Sequence, residues 1–353
     1  MKASRIVALF FSIVLAGILV QLSPLATFEE KTKETAIVFN STSDQHTLLG
    51  HPENALRLEA ILNQLKTEKL WDQVSRLEPR EATLSELSLF HTEDYLRRID
   101  KASGDSKIPY LENEKWAPYN SRQAAASAKT AVGSLIDLTR LVARGVHRNG
   151  FALIRPPGHH ARANQGMGFC IFNSIAIATK SLLRDKLVNR VLIFDMDAHN
   201  GNGIAEAFQD SQNVAYVSFY QSGIFPYSND RSFSRILSVP LAFQEREENY
   251  FRKFEEKVPA LFEEFRPEFV IVSAGYDAHW RDSMSNLGLS LQGYARLSKR
   301  LIELAEKHSG GKIVFSLEGG YDLEALSIGA ANTLKALLKR DDFRDPIGPF
   351  PGK

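Results

Sequence analysis

Six short apolar runs recur along this chain without alternating polar residues, and longer stretches with helical periodicity separate them. They are Ala36 to Phe39, Gly150 to Ile154, Arg190 to Phe194, Val214 to Phe219, Glu268 to Ser273 and Lys312 to Leu317. A strand that is apolar on both sides has to be covered on both sides, which is the situation in a parallel sheet sandwiched by helices. The intervening stretches, Glu53 to Leu70, Ser121 to Ala143, Asn173 to Asp185, Gln244 to Phe265, Leu291 to His308 and Leu323 to Lys339, supply those helices. Strand–helix alternation predicts an α/β domain: a single doubly wound, mainly parallel sheet with helices on both faces. At 353 residues and 44% hydrophobic, the chain has enough apolar material to bury such a sheet. No internal repeat or change of composition divides residues 36–353, which read as one domain.

The first 28 residues differ in kind. Lys2 and Arg5 precede a run from Ile6 to Leu22 that is broken only by Ser12, Gly17 and Gln21. A positive start followed by an apolar core predicts a signal peptide or an uncleaved N-terminal membrane anchor over 1–28, with the rest exported. A cytoplasmic protein is the alternative. Residues 29–35, beginning EEKTKE, read as a linker. Any membrane contact is expected through the N-terminal segment alone. A net charge of +1 and the lack of a long basic run argue against a nucleic-acid partner. Cys170 is the single cysteine, so a metal here has to be held by His, Asp or Glu.

Ligand sites in doubly wound sheets lie beyond the carboxyl ends of the strands, and four polar clusters fall there. RPPGHH (155–160) follows the second run, DMDAHNGNG (195–203) the third, AGYDAHWRD (274–282) the fifth and EGGYD (318–322) the sixth. Pro156 and Pro157 have fixed φ and Gly158 tolerates conformations others avoid, so the backbone entering His159 and His160 is confined. Two imidazoles on such a turn suit proton transfer or metal binding, or are simply capped loop histidines. Asp197 and His199 are alternate residues, able in extended backbone to point one way and grip one ion, and Asp277 adds a third ligand type. Asp-His-Asp leaves one position of a tetrahedral zinc open, as in catalytic sites, where bound water ionises near pH ~7. The histidine pair would supply a general base and acid, and Tyr321 a donor to a developing oxyanion. Together these describe a metal-assisted amide hydrolase.

The same segments, Arg155–Ala161, Gly168–Asn173, Asp195–Gly203, Ser273–Asp282 and Glu318–Tyr321, resemble the RPPGHHA, GFCxFN, DxDxHxGNG, SAGxDAxxxD and EGGY elements of the zinc-dependent histone deacetylase family. That family includes bacterial deacetylase-like amidohydrolases and acetylpolyamine amidohydrolases. His51 to Leu58 is similar to its HPExxxRL element, and the resemblance runs from about Phe39 to Leu337. It implies zinc ligands Asp197, His199 and Asp277, with His160 as general base and acid and His159 as its electrostatic partner. It further implies Tyr321 as the carbonyl-polarising group, with Asp195 and Asn202 orienting the two histidines. Gly168, Phe169, Phe225 and Met284 match the tunnel for an acyl-lysine stem, and Arg57 the arginine near the acetate exit. The family also implies a structural K⁺ or Na⁺ near Asp195, Asp197, His199, Ser218 and Phe219.

This chain departs from the family pattern at Asn200, Tyr220 and Ser283, none a ligand. Asn113 and Glu114 lie where the rim aspartate is expected. Removal of acetyl or related acyl groups from lysine-like amines is the favoured reading. Acetylpolyamine hydrolysis is the alternative, but Met284 stands where specialised relatives carry a glutamate. A catalytically dead acyl-lysine binding module would need a broken ligand set, and none is broken. An arginase-like two-metal site would want further carboxylates where Asn200 and Asn202 stand.

Overall fold

The computed structural model describes residues 35–40, 45–113, 116–227 and 235–351. The chain divides after Lys31, and the unit from Thr32 onward is the one described here. The expected targeting segment and all of the expected linker but Thr35 lie outside the described residues. Thr35 itself begins the first strand.

The elements run β1 (Thr35–Phe39), α1 (Leu56–Thr67), β2 (Ser75–Leu77), α2 (Leu84–Leu87), α3 (Glu93–Ala102) and α4 (Ala124–Ala143). After them come β3 (Asn149–Leu153), α5 (Ser174–Arg184), β4 (Val191–Asp195), α6 (Asn202–Phe208) and β5 (Val214–Gln221). The chain closes with β6 (Ile236–Leu241), α7 (Glu247–Phe265), β7 (Phe269–Ala274), α8 (Leu291–Ser309), β8 (Ile313–Leu317) and α9 (Leu323–Leu337). The strands form one eight-stranded sheet in the order β2-β1-β3-β8-β7-β4-β5-β6, parallel throughout.

Successive residues of each central strand enter opposite cores, which is why these strands read as unbroken apolar runs. On β4, Leu192 and Phe194 belong to the core that includes side chains of α1, α7, α8 and α9, while Val191 and Ile193 belong to the core that includes those of α3, α4, α5 and α6. Phe151 and Phe194 are almost fully buried, each contributing roughly 1.5–3 kcal/mol relative to exposure. Several helix starts are set by local acceptors. Asn173 caps α5 through Ala176 N–H, Ser290 caps α8 through Gly293 N–H and Asp322 caps α9 through Ala325 N–H.

All six expected strands and six expected helices are present, with ends shifted by a few residues. The sequence reading passed over both sheet edges and three helices. β2 has only three residues, and β6 carries Ser238 and Pro240, a residue tolerated in edge strands. α3 buries just Tyr95, Leu96 and Ile99 in an otherwise charged segment. The four clusters emerge at the carboxyl ends of β3, β8, β7 and β4, which are neighbours at the middle of the sheet.

Candidate active site

The histidine turn after β3 is tied down by side chains distant in sequence. Glu318 Oε2 accepts the N–H groups of Gly158 (2.7 Å) and His159 (3.0 Å), and Cys170 Sγ accepts that of His160 (3.4 Å). Buried Arg155 donates to Glu53 Oε2 at 2.8 Å and to the His46 carbonyl at 3.0 Å. The imidazoles of His159 and His160 lie 3.9 Å apart, centre to centre. His159 Nδ1 faces Asp195 Oδ2 at 3.1 Å, and Tyr216 donates to that same oxygen at 2.7 Å. His160 Nδ1 faces the amide oxygen of Asn202 at 2.8 Å. Both partner atoms only accept, so both Nδ1 atoms carry hydrogen and a neutral His160 keeps a free Nε2.

The charges of the two rings diverge. Burial opposes a charge on His159, but Asp197 and Asp195 outweigh it and push the pKa up to about 10. For His160, burial followed by the positive His159 and His199 pushes the pKa well below the usual 6.5. One imidazole is therefore a fixed cation and its neighbour a neutral proton acceptor.

Beside them Asp197, His199 and Asp277 bring ligand atoms within 4.8 Å of one another, all buried. His199 Nδ1 lies 3.1 Å from Asp197 Oδ1 and 2.8 Å from Asp277 Oδ2. The remaining carboxylate oxygens are oriented by main-chain donors. Gly319 N–H reaches Asp197 Oδ2 at 2.9 Å, and Ala198 N–H reaches Asp277 Oδ1 at 2.8 Å. Burial works against a charge on His199, yet Asp277 and Asp197 hold its pKa well above 6.5. Two buried carboxylates around one imidazole demand positive charge, and the nitrogen and oxygen donors suit a divalent cation such as zinc.

A cavity of about 220 Å³ opens onto these groups. Phe225 stands edge-on to His160 at 4.9 Å and Phe169 edge-on to Tyr321 at 5.9 Å, giving two aromatic walls. Phe169 takes a left-handed conformation (φ 67°), a cost of roughly 1–2 kcal/mol for a side chain with Cβ. Gly168 leaves space where a Cβ would lie 2.3 Å from His160 Cδ2. At Gly275, a Cβ would meet Asp197 Oδ2 at 2.1 Å. Trp116, Ile224, Tyr227 and Met284 line the outer part. Tyr321 faces the cavity, and desolvation pushes its hydroxyl well above pH 10, so it remains a donor.

The expected residues His159, His160, Gly168, Phe169, Asp197, His199, Phe225, Met284 and Tyr321 all line this cavity. Asp195, Asn202 and Asp277 stand behind that lining as hydrogen-bond partners. Arg57 is fully buried. It donates to the carbonyls of Gly320 (2.7 Å) and Glu318, and its guanidinium lies 5.0 Å from the Tyr321 ring centre. It does not line the cavity. Ser218 pairs with Asp195 in the sheet register, with Phe219 following on β5. Asn113 is exposed, and Glu114 is outside the described residues. Several contributors were not anticipated. Trp116, Ile224 and Tyr227 sit in loops without periodicity, while Asp282 accepts the Tyr321 N–H at 2.6 Å and Glu318 holds the histidine turn. The last two belong to the quoted motifs, which was the available signal.

Residues 51–337 match the model of the histone deacetylase domain. The chain is 33% identical to a probable deacetylase of Archaeoglobus fulgidus, over 82% of each chain. It is 32% identical to the chloroplastic histone deacetylase 14 of Arabidopsis thaliana, over 91% of this chain and 81% of that one. Among solved structures, the HD domain of HDA15 superposes with a TM-score of 0.81 at 31% identity, covering 89% of this chain and 90% of that one.

Proposed function

The chain belongs to the histone deacetylase family, and from that premise we propose that it is a zinc-dependent amide hydrolase acting on lysine-like amines that carry an acetyl or related acyl group. The observation that carries this reading is the meeting of a neutral His160, a cation-seeking Asp197–His199–Asp277 cluster and a hydroxyl donor, Tyr321, at one aromatic-walled cavity.

Phe169 and Phe225 would flank an extended aliphatic stem and exclude water from it. Tyr321 donates to the amide oxygen as negative charge develops there. His160 Nε2 takes the proton from the attacking water and returns it to the departing amine, since Asn202 leaves that nitrogen free. His159, held positive by Asp195 and Asp197, keeps its proton and stabilises negative charge nearby. Asp197, His199 and Asp277 would hold a divalent cation, which when bound would supply Lewis acidity toward the carbonyl and the water. Buried Asp195 and Ser218, side by side across β4 and β5, support a structural monovalent cation there.

Among the described lining residues the outer cavity has no acidic side chain, which favours a neutral acyl-amine over a polyamine. The test is turnover by the zinc-loaded protein of acetyl-lysine peptides, longer acyl-lysines and acetylpolyamines. Acyl-lysine turnover with weak polyamine turnover is expected; no amide hydrolysis across the panel would overturn the reading. We also propose that residues 1–28 export or anchor the enzyme. The positive start and the apolar run support this.

A further inference from the structure

The segment Glu318–Tyr321 after β8 is tied to the site at several points. Gly319 N–H donates to the ligand carboxylate Asp197, and the carbonyls of Glu318 and Gly320 accept from Arg57. The Glu318 side chain reaches back across the sheet to a turn about 160 residues earlier, accepting two successive N–H groups there. Glu318 is completely buried, and its second oxygen, Oε1, has no hydrogen-bond partner. Burial pushes the Glu318 pKa up to about 7, with the cationic His159 and the two amides acting against that rise.

The N–H groups of Gly158, His159 and His160 come one after another, and the first two end on Glu318 while the third ends on Cys170. Consecutive amides converging in this way form a concavity that favours an anion. With Glu318 removed, two buried donors would lack partners, and the turn carrying both imidazoles would relax. The same short segment presents Tyr321 to the cavity.

We propose that Glu318 is a positioning residue that locks the His159–His160 turn to the Tyr321 loop, so that one short segment after β8 sets the separation of the proton acceptor and the hydroxyl donor. The proposal rests on the hydrolase reading for its kinetic consequence but not for the tie itself. It differs from a metal role for His159, Cys170 and Glu318, whose ligand-type atoms also cluster within 4.8 Å. There His159 Nδ1 is committed to Asp195, and Cys170 and Glu318 take main-chain donors.

The experiment uses the full zinc-loaded chain with Glu318→Ala and Glu318→Gln, and Glu318→Met in place of the alanine if that variant does not fold. Glu318→Ala is expected to keep its zinc and a KM within about threefold of wild type, while kcat falls ~10²-fold, the loss typical of a misplaced catalytic group. Amide exchange in a peptide spanning residues 156–161 should accelerate by about tenfold or more in that variant, as expected when protecting hydrogen bonds are lost. Glu318→Gln, whose amide oxygen still accepts both N–H groups, should recover most of the rate and the protection. The proposal is overturned by unchanged exchange and kcat in Glu318→Ala, by loss of zinc together with activity, or by a glutamine variant no better than alanine. The exchange measurement needs no turnover. A wild type inactive on every acyl-amine, with the exchange response intact, would sink the hydrolase reading and leave the tie standing.

Discussion

His159 and His160 lie 3.9 Å apart, centre to centre, yet differ in charge: Asp197 and Asp195 hold the first protonated against its burial, while burial and the neighbouring His159 and His199 keep the second neutral. His160→Ala should lose about 10²–10⁴ in kcat with metal retained, the range for a general base, and His159→Ala should lose less. Asn202→Asp gives His160 an anionic partner, raises its pKa, and should move the acid limb of kcat/KM to higher pH. Near-normal kcat in metal-replete His160→Ala would make the pair structural.

Tyr321→Phe removes a donor and nothing else. It should keep metal and KM and lose roughly 10²–10³ in kcat, the scale for one oxyanion donor. Steady-state kinetics on an acetyl-lysine peptide read this directly, and an unchanged kcat would count against the assigned role.

Among the described residues, the metal cluster is Asp197, His199 and Asp277 alone. Asp197→Ala, His199→Ala and Asp277→Ala should each lose bound zinc and activity together, as should a chelated wild type, with activity returning on zinc addition. Stoichiometric zinc in all three variants would refute the ligand set.

His91 makes folding sensitive to mild acid. It is buried, donating through Nδ1 towards the Ala163 carbonyl (3.4 Å) and accepting the Asn173 N–H through Nε2 (2.9 Å). Burial lowers its pKa from 6.5 to about 4. Between those values the unfolded chain binds a proton that the folded chain refuses, so stability falls as pH drops from 6.5 towards 4, by about 3 kcal/mol in total. Urea midpoints measured across that window should fall, and less steeply in His91→Phe, whose stability at pH 7 is already lower. Parallel slopes would refute it.

A chain starting near Lys31 should fold and be fully active, since Ile6 to Leu22 is proposed to serve targeting. Recovery of that truncation only as aggregate would make the segment part of the fold.

The central strands were legible because both faces are buried, which leaves Leu192 and Ile193 no reason to alternate with polar residues. The edge strand β6 was not, since one flank of an edge needs no apolar cover and Pro240 reads as a breaker. The clusters at the strand ends stood out as residue types, whereas the pairing of His159 with Asp195 and of His160 with Asn202 came only through the family resemblance. Trp116 and Tyr227 left no trace because loops have no period. Glu318 was visible as a letter of EGGY, but its hydrogen bonds to residues 158 and 159 depend on which strands are neighbours.

The hydrogen atoms of Gly168 and Gly275 occupy places where a single methyl would collide with His160, Phe225 or Asp197. At these two positions there is no gradual remodelling: even the smallest added side chain presses on the apparatus. New selectivity, whether reached by natural drift or in a laboratory library, has to be written at the outer ring of Trp116, Ile224, Tyr227 and Met284. Changes of size and charge there would alter what enters the cavity without adding atoms beside His160 or Asp197.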